Sequence, residues 1–415
     1  MQLVEKHIIK KSDSRYKILD EHAFLSKNLY NASLYAIQEH YKQTQSFLNY
    51  NALCKKFQDD NNPDYRALNS KIGQWVLKQA CTAYESYFKA LRDYQKHPHK
   101  YKACPRPPFY KPKIRGRNVL ICTIQTIGRK KFAEKTLALL GGLVELRTQI
   151  LPTFQPKKED QPEKSNIAQV RIVPRKGAYH LEVVYEKCPE KYDLDVNKVA
   201  GIDLGVTNLA TVAFNDNTIK PFYINGRPLQ QINHYYHKLK AQLQTALPTG
   251  RHTSHKIQQL TLKRNNKIKD YLHKASKKII SYLIQNQIGT LVVGYNPLWK
   301  QNVNLGSLFN LKFTQIPFAE FLHQLKYKAE LAGIVVKVQE ESYTSKCSFL
   351  DGEKIAKQTA YKGKRIKRGL FKSAKGLLIH ADLNGAYNII KKAIPSAFAK
   401  GIQGVVVHPY RDKIL

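Results

Sequence analysis

The chain has 415 residues, 42% hydrophobic and 10% aromatic, enough to bury two or three cores and too much for a disordered polycation. Lys and Arg number 69 against 31 Asp and Glu, a net charge of +38, which points to a polyanionic partner, nucleic acid ahead of a membrane surface. The opening MQLVEKHIIKKSDSR lacks the apolar stretch of a secretion signal, and no 18-residue apolar run occurs, so a cytoplasmic chain without a membrane partner is expected.

Residues 3–10 read as a short strand. From about 15 to 94 the spacing is helical: Leu25, Leu29, Ala32 and Ala36 share one face, as do Val76, Ala80, Ala83, Tyr87 and Ala90. Core packing is the plainer meaning of these stripes, Tyr87 included. Residues 95–117 alternate Pro105, Pro107, Pro108 and Pro112 with basic and aromatic side chains. Such a segment is extended, because proline forbids helix. It is either a solvated linker or a track for a nucleic-acid backbone through Lys111, Lys113 and Arg115.

Strands dominate from 118 to 188, with a hairpin around Gly177 and a polar loop at 155–165. A small β-barrel that begins with the N-terminal strand fits this run. Residues 198–214 predict strand, turn and strand, and 228–287 a basic helical pair broken near Pro248 and Gly250. The apolar run 289–296, a helix at 317–332 and a strand at 333–345 follow; strands separated by helices argue for parallel pairing. The fold class is therefore α/β joined to α and β parts.

Asp203 sits inside an apolar strand, and Asp382 opens a helix 179 residues later. A carboxylate in a buried strand is costly unless a cation or hydrogen bonds compensate it. On so basic a chain, two such acids suggest divalent-metal ligands facing a phosphate backbone, the signature of an RNase H-like nuclease core. Hydrolysis with two Mg²⁺ ions asks for a third acid at the same sheet edge. The natural donor position, just after the apolar run at 289–293, is Gly294. Glu341, or Glu340 beside it, ends the adjacent strand and is the replacement; two solvated glutamates are the alternative.

The run KRIKRGLFKSAK (364–375) holds six basic residues in twelve. It is either a solvated face or a nucleic-acid contact through Lys364, Arg365, Lys367 and Arg368. His273, Lys274 and Ser276 on the basic helix invite the same two readings. His380, beside Asp382, could shuttle protons or simply start a helix. Six scattered cysteines contain no CxxC pair, which predicts reduced thiols and no zinc ribbon.

GIDLGVTNLATVAF, the strand before WKQ, ESYTSKCSFLDG and HADLNGAYNIIKKA together resemble the TnpB family of transposon-encoded RNA-guided DNA nucleases, relatives of type V CRISPR effectors. The resemblance covers nearly the whole chain. It implies a wedge-like β-barrel domain from residues 1–14 and 95–190, a helical recognition domain at 15–94, and a RuvC-like nuclease domain at 195–415 with a basic insertion at about 346–376. It implies a guide RNA from the transposon end, double-stranded target DNA next to a short motif, and association with the nucleoid. The family's metal ligands are Asp, Glu and Asp from three motifs; Asp203 and Asp382 match the first and third, and Gly294 departs from the second. The usual four-cysteine zinc ribbon is also missing, with Cys347 alone in that region. Both departures mark a branch, with WKQ and ESYTSK blocks, in some of whose members the glutamate has moved to another strand; that favours Glu341. A second branch, nuclease-inactive guided repressors, loses active-site acids outright. A transposase that joins DNA ends without a guide is the third reading.

Overall fold

The computed structural model describes residues 1–155, 164–175, 177–190, 192–296, 313–399, 401 and 404–412. The WKQ block and most of the polar loop at 155–165 lie outside the described residues. The chain divides into two compact units, Met1–Lys187 and Cys188–Leu415. Among the described residues no helix is long and apolar enough to cross a membrane.

In the first unit, β1 (Gln2–Lys10) is followed by helices α1 (Arg15–Thr44), α2 (Tyr50–Asp59), α3 (Pro63–Arg66) and α4 (Ser70–Lys96). Asn49, Asn62 and Asn69 cap the last three, each side chain accepting a backbone N–H of the first turn. Then come β2 (Leu120–Thr123), β3 (Thr136–Leu139), β4 (Val144–Arg147), β5 (Phe154–Gln155), β6 (Lys164–Ser165), β7 (Ile167–Arg175) and β8 (Ala178–Glu186). The β7–β8 hairpin turns through Gly177 at φ 81°, where only glycine is unstrained.

The expected barrel is an open sheet instead, in the order β1-β8-β7-β2, with β3–β4 and β5–β6 as separate pairs. The physical reason is cover. Leu29, Val76 and Ala80 of the helical stripes share one continuous core with Leu120, Ile172, Leu181 and Val183 of the sheet. A sheet face packed on helices has no need to close on itself.

The proline-rich connector is neither free nor swinging. Asn31 on α1 exchanges two hydrogen bonds with the backbone of Lys111, and the Lys27 ammonium donates to the Lys113 carbonyl. At its end Arg117 pairs with Asp20 at 2.7 Å, and Tyr179 donates to the same carboxylate. One turn-spaced row of α1 side chains thus holds the segment in place.

The second unit is built on a six-stranded sheet in the order β13-β12-β9-β10-β11-β17. Its members are β9 (Asp195–Leu204), β10 (Asn208–Phe214), β11 (Phe222–Asn225), β12 (Ile288–Gly294), β13 (Val335–Gln339) and β17 (Tyr410–Asp412). Helices α5 (Arg227–Thr245), α6 (His255–Gln285) and α7 (Phe318–Leu331) pack on one side. Helix α8 (Ala381–Ala393) packs with Val199, Val292 and the region around Phe349 and Phe371 in a separate core. Between β13 and α8 stands a small antiparallel sheet of β14 (Lys364–Lys367), β15 (Leu370–Lys372) and β16 (Leu378–His380).

The Asp203 strand neighbours the 288–294 strand in parallel, and that strand neighbours 335–339 in parallel. This is the predicted order. The last strand is shorter than expected: it ends at Gln339, and residues 342–346 form a turn in which Tyr343 adopts φ 68°.

Candidate metal centre and nucleic-acid cleft

Asp203 lies near the end of β9, opposite Thr211 of β10. Helix α8 crosses directly over it, and two glycines permit the approach. A Cβ on Gly201 would collide with Ile390 and the Ala386 carbonyl; one on Gly385 would come 2.7 Å from the Asp203 carboxylate. The first and third acids are thereby brought to one edge, since Asp382 sits in the first turn of the same helix.

The position of Gly294 explains its missing carboxylate. It follows Val293, which pairs with Ile202, so it lies alongside Asp203. A Cβ built there would strike the Glu341 carboxylate and Ile389. Glu341 thus occupies the volume that a side chain at 294 would fill. Its Oε1 is buried without a hydrogen-bond partner. Glu340 takes a different course: it is exposed, pairs with Lys392 at 2.8 Å and accepts from the Ser342 backbone.

Electrostatics agree with this convergence. Burial, then the Glu341 and Asp382 carboxylates, holds the Asp203 carboxyl well above the usual carboxylate range, against the pull of Arg365. Burial, with Glu340 nearby, pushes Glu341 up to about 8. Crowded, desolvated carboxylates with an unpaired oxygen are a donor set suited to a hard divalent cation. The set is not closed: among the described residues no three His, Cys, Asp or Glu side chains surround a common ion position. Asp382 is turned to Asn208, which donates at 2.8 Å, and to Arg365 at 3.5 Å. Arg365 serves as the counter-ion.

Two residues that sequence reasoning passed over join these acids. Asn384 and Asn388, fully buried on α8, bind the backbone of the segment after Glu341: Asn384 accepts from Phe349 and donates to Cys347, and Asn388 donates to Thr344 and Cys347. The signal available was a pair of asparagines four apart on an otherwise apolar helix face.

The basic insertion holds together through a carboxylate. Glu353, 4% exposed, accepts from the backbone N–H of Ser348 at 2.7 Å and of Lys362 at 3.1 Å. The Cys347 thiol faces the carbonyls of Lys354 and Ala356. Lys364, Arg365, Lys367 and Arg368 are all exposed, and Arg368 donates to the Thr207 hydroxyl. Arg365 and Arg368 line a cleft of about 890 Å³ beside Asp382, together with Tyr223, Arg227 and His380.

Other candidates are placed differently. His273 and Ser276 pack against α7: Lys328 donates to the His273 carbonyl and the Ser276 hydroxyl, leaving only Lys274 of that trio exposed. In the first unit the Lys111 ammonium lies over the Tyr30 ring, while Lys113 and Arg115 are exposed.

The sheet order and the crossing helix give a mixed α/β domain with an insertion before its last helix. Family comparison makes it more particular. Residues 182–299 match the OrfB_IS605 family, described as probable transposase, and residues 318–389 match the TNB domain of Cas12f1-like proteins. The TnpB-like protein ORF457 of Acidianus two-tailed virus is 30% identical over 207 residues, 48% of this chain and 42% of its own length. The CRISPR-associated endodeoxyribonuclease Cas12f1 of Sulfoacidibacillus thermotolerans is 27% identical over 247 residues, 55% of this chain and 54% of its own. The chain spans about half the length of these curated relatives. A solved Cas12f1–sgRNA–target DNA complex is similar at a TM-score of 0.56 and 18% identity, covering 90% of this chain and 82% of that one. The mini-RNA-guided endonuclease CRISPR-Cas_phi3 is similar at 0.50 and 10% identity, covering 99% and 93%. These two likenesses are of fold. The resemblance to the TnpB family is borne out, and the two matched segments carry Asp203 and Gly294 in one, Glu341 and Asp382 in the other.

Proposed function

We propose that this chain is an RNA-guided, metal-dependent DNA endonuclease that cuts beside a short target-adjacent motif, with guide RNA and double-stranded target DNA as its partners. The observation that carries the reading is the Glu341 carboxylate in the side-chain space of Gly294, with one oxygen unpartnered and Asp203 beside it. An acid lost from one strand and supplied by the next is what a retained active site requires.

Asp203, Glu341 and Asp382 would hold Mg²⁺, two ions in the family's pattern. Bound there, the ions would supply charge neutralisation at phosphorus and an activated water. The remaining work falls to the chain. Asp203 is held rigid by the glycine-lined crossing of α8. Arg365, resting on Asp382 at 3.5 Å, would exchange that carboxylate for a strand phosphate and leave Asp382 available as a ligand. Lys364, Lys367 and Arg368 would track the strand, and Lys113 and Arg115 would contact nucleic acid from the first unit.

The test is target DNA incubated with the purified protein–RNA complex in Mg²⁺ or in EDTA. Cutting in Mg²⁺ alone supports the reading. A complex that binds its guided target but fails to cut whichever divalent metal is supplied would instead be a repressor, the reading Gly294 by itself favours. RNA-independent joining of DNA ends would point to the transposase reading, which the description of the matched family raises.

A further inference from the structure

We infer that the cleft beside Asp382 is a subsite for one unpaired nucleotide of the strand being cut, with Tyr223 taking the base and Arg227 a flanking phosphate. The inference rests on the nuclease reading of the acid edge. Neither residue belongs to the metal ligands or to the basic run.

The cleft's size and lining carry the argument. At about 890 Å³ it exceeds what a single phosphate needs and falls within the range of pockets that take nucleotide-sized ligands. Three arginines line it, Arg227, Arg365 and Arg368, against one acidic residue, Asp382. Arg365 is engaged by Asp382 and Arg368 by Thr207. Arg227, the first residue of α5, is exposed and makes no ion pair among the described residues. A cationic side chain with no internal partner, at the mouth of a cleft next to the acids, suits a phosphate neighbouring the one attacked.

The planar component is preformed. The rings of Tyr223 and His380 lie parallel, centroids 6.2 Å apart and planes within 9°. Tyr223 is held by β11 between Thr211 of β10 and Arg411 of β17, and His380 by β16 as it enters α8. A base can stack on such a surface only when its own stack has been opened, so the geometry selects an unpaired strand over a duplex. Stacking tolerates any base, which suits an enzyme whose sequence choice lies elsewhere.

The probe is single-stranded hexathymidylate carrying one 5-iododeoxyuridine, photocrosslinked in EDTA to the protein–RNA complex, with crosslinked peptides mapped by mass spectrometry. Crosslinks to the peptides holding Tyr223 or His380 are expected. Unlabelled hexathymidylate should compete them away and an equal-length duplex should not. Tyr223→Ala should weaken that competition by about 5- to 150-fold, the range of base–aromatic stacking, and Tyr223→Phe should restore it. In Mg²⁺, Tyr223→Ala and Arg227→Ala should slow cutting and scatter its position without changing guided binding, and Arg227→Lys should recover part of the rate. Crosslinks confined to other peptides, or cutting by both alanine variants at parental rate and position, would overturn the subsite. A parent that crosslinks in the cleft yet never cuts would keep the subsite and refute the nuclease.

Discussion

The acid edge and the basic insertion are neighbours built by opposite means. At the acid edge, position comes from steric exclusion: Gly201, Gly294 and Gly385 are places where any side chain would collide, and what fills their space is Ile390, Glu341 and the Asp203 carboxylate. In the insertion, position comes from a few polar links, with Glu353, Asn384 and Asn388 gripping backbone groups. Close packing leaves one arrangement and no slack. Polar links hold loops in place but can be opened one at a time. On the proposed reading, the fixed part would hold ligands for metal and the linked part would yield when a strand arrives.

The sharpest way to break this contrast is at the acids. Asp203→Ala and Asp382→Ala should each reduce cleavage by about 10²-fold or more while guided binding persists, measured by cleavage and gel-shift assays on the same preparation. Glu341→Ala should match them and Glu340→Ala should be milder; the reverse ranking would move the third ligand by one residue. Next comes the exchange at Gly294. Gly294→Glu alone should overpack the site and destabilise the protein by about 1–3 kcal/mol, seen as a lowered Tm. Adding Glu341→Gly should relieve the crowding and restore part of the cleavage lost by Glu341→Gly alone. A double variant no better than either parent would mean that the two positions do not share one space.

Glu353→Ala probes the linked region. It leaves the buried Ser348 N–H without an acceptor, at a cost of about 1–3 kcal/mol, and releases the Lys362 N–H to solvent. Amide exchange should rise in residues 348–380 and stay unchanged in β9 and β12. A last test concerns pH. Glu341 is raised from 4.5 to about 8 in the folded protein. Between those values the folded state holds a proton that the unfolded chain has lost, so stability should fall as pH rises from about 4.5 to 8 in metal-free protein. Asp203 shifts in the same direction. Mg²⁺ should reverse the trend, and thermal melts across that window with and without the ion would show it.

How much of this was legible depends on range. The strand order could be read because apolar runs bounded by polar ends announce strands, and intervening helices force parallel neighbours. That Asp203 and Asp382 meet at one edge could be anticipated because a carboxylate within an apolar strand asks for compensation. That Glu341 reaches the edge followed from Gly294 being empty. The Asn384 and Asn388 clamp, the Glu353 link and the Arg365 counter-ion were hidden: each satisfies a group whose identity appears only after folding. The docking of the connector was hidden for the same reason, since Asn31 and Lys111 stand 80 residues apart. The barrel was overdrawn because alternation reports a covered face and not what covers it.

The shared space at Gly294 and Glu341 also constrains descent. A chain with glutamate at both positions is crowded, and, with Glu341 as the proposed metal ligand, one with glycine at both would lack it. Neither single substitution between the two arrangements passes through a protein that is at once well packed and fully liganded. On the proposed reading, relocation of the acid would be a crossing of a fitness valley two mutations wide, and once made it would resist reversal. Of the two intermediates, the crowded one keeps every ligand, so stability held in reserve elsewhere in the fold would set whether the crossing is open.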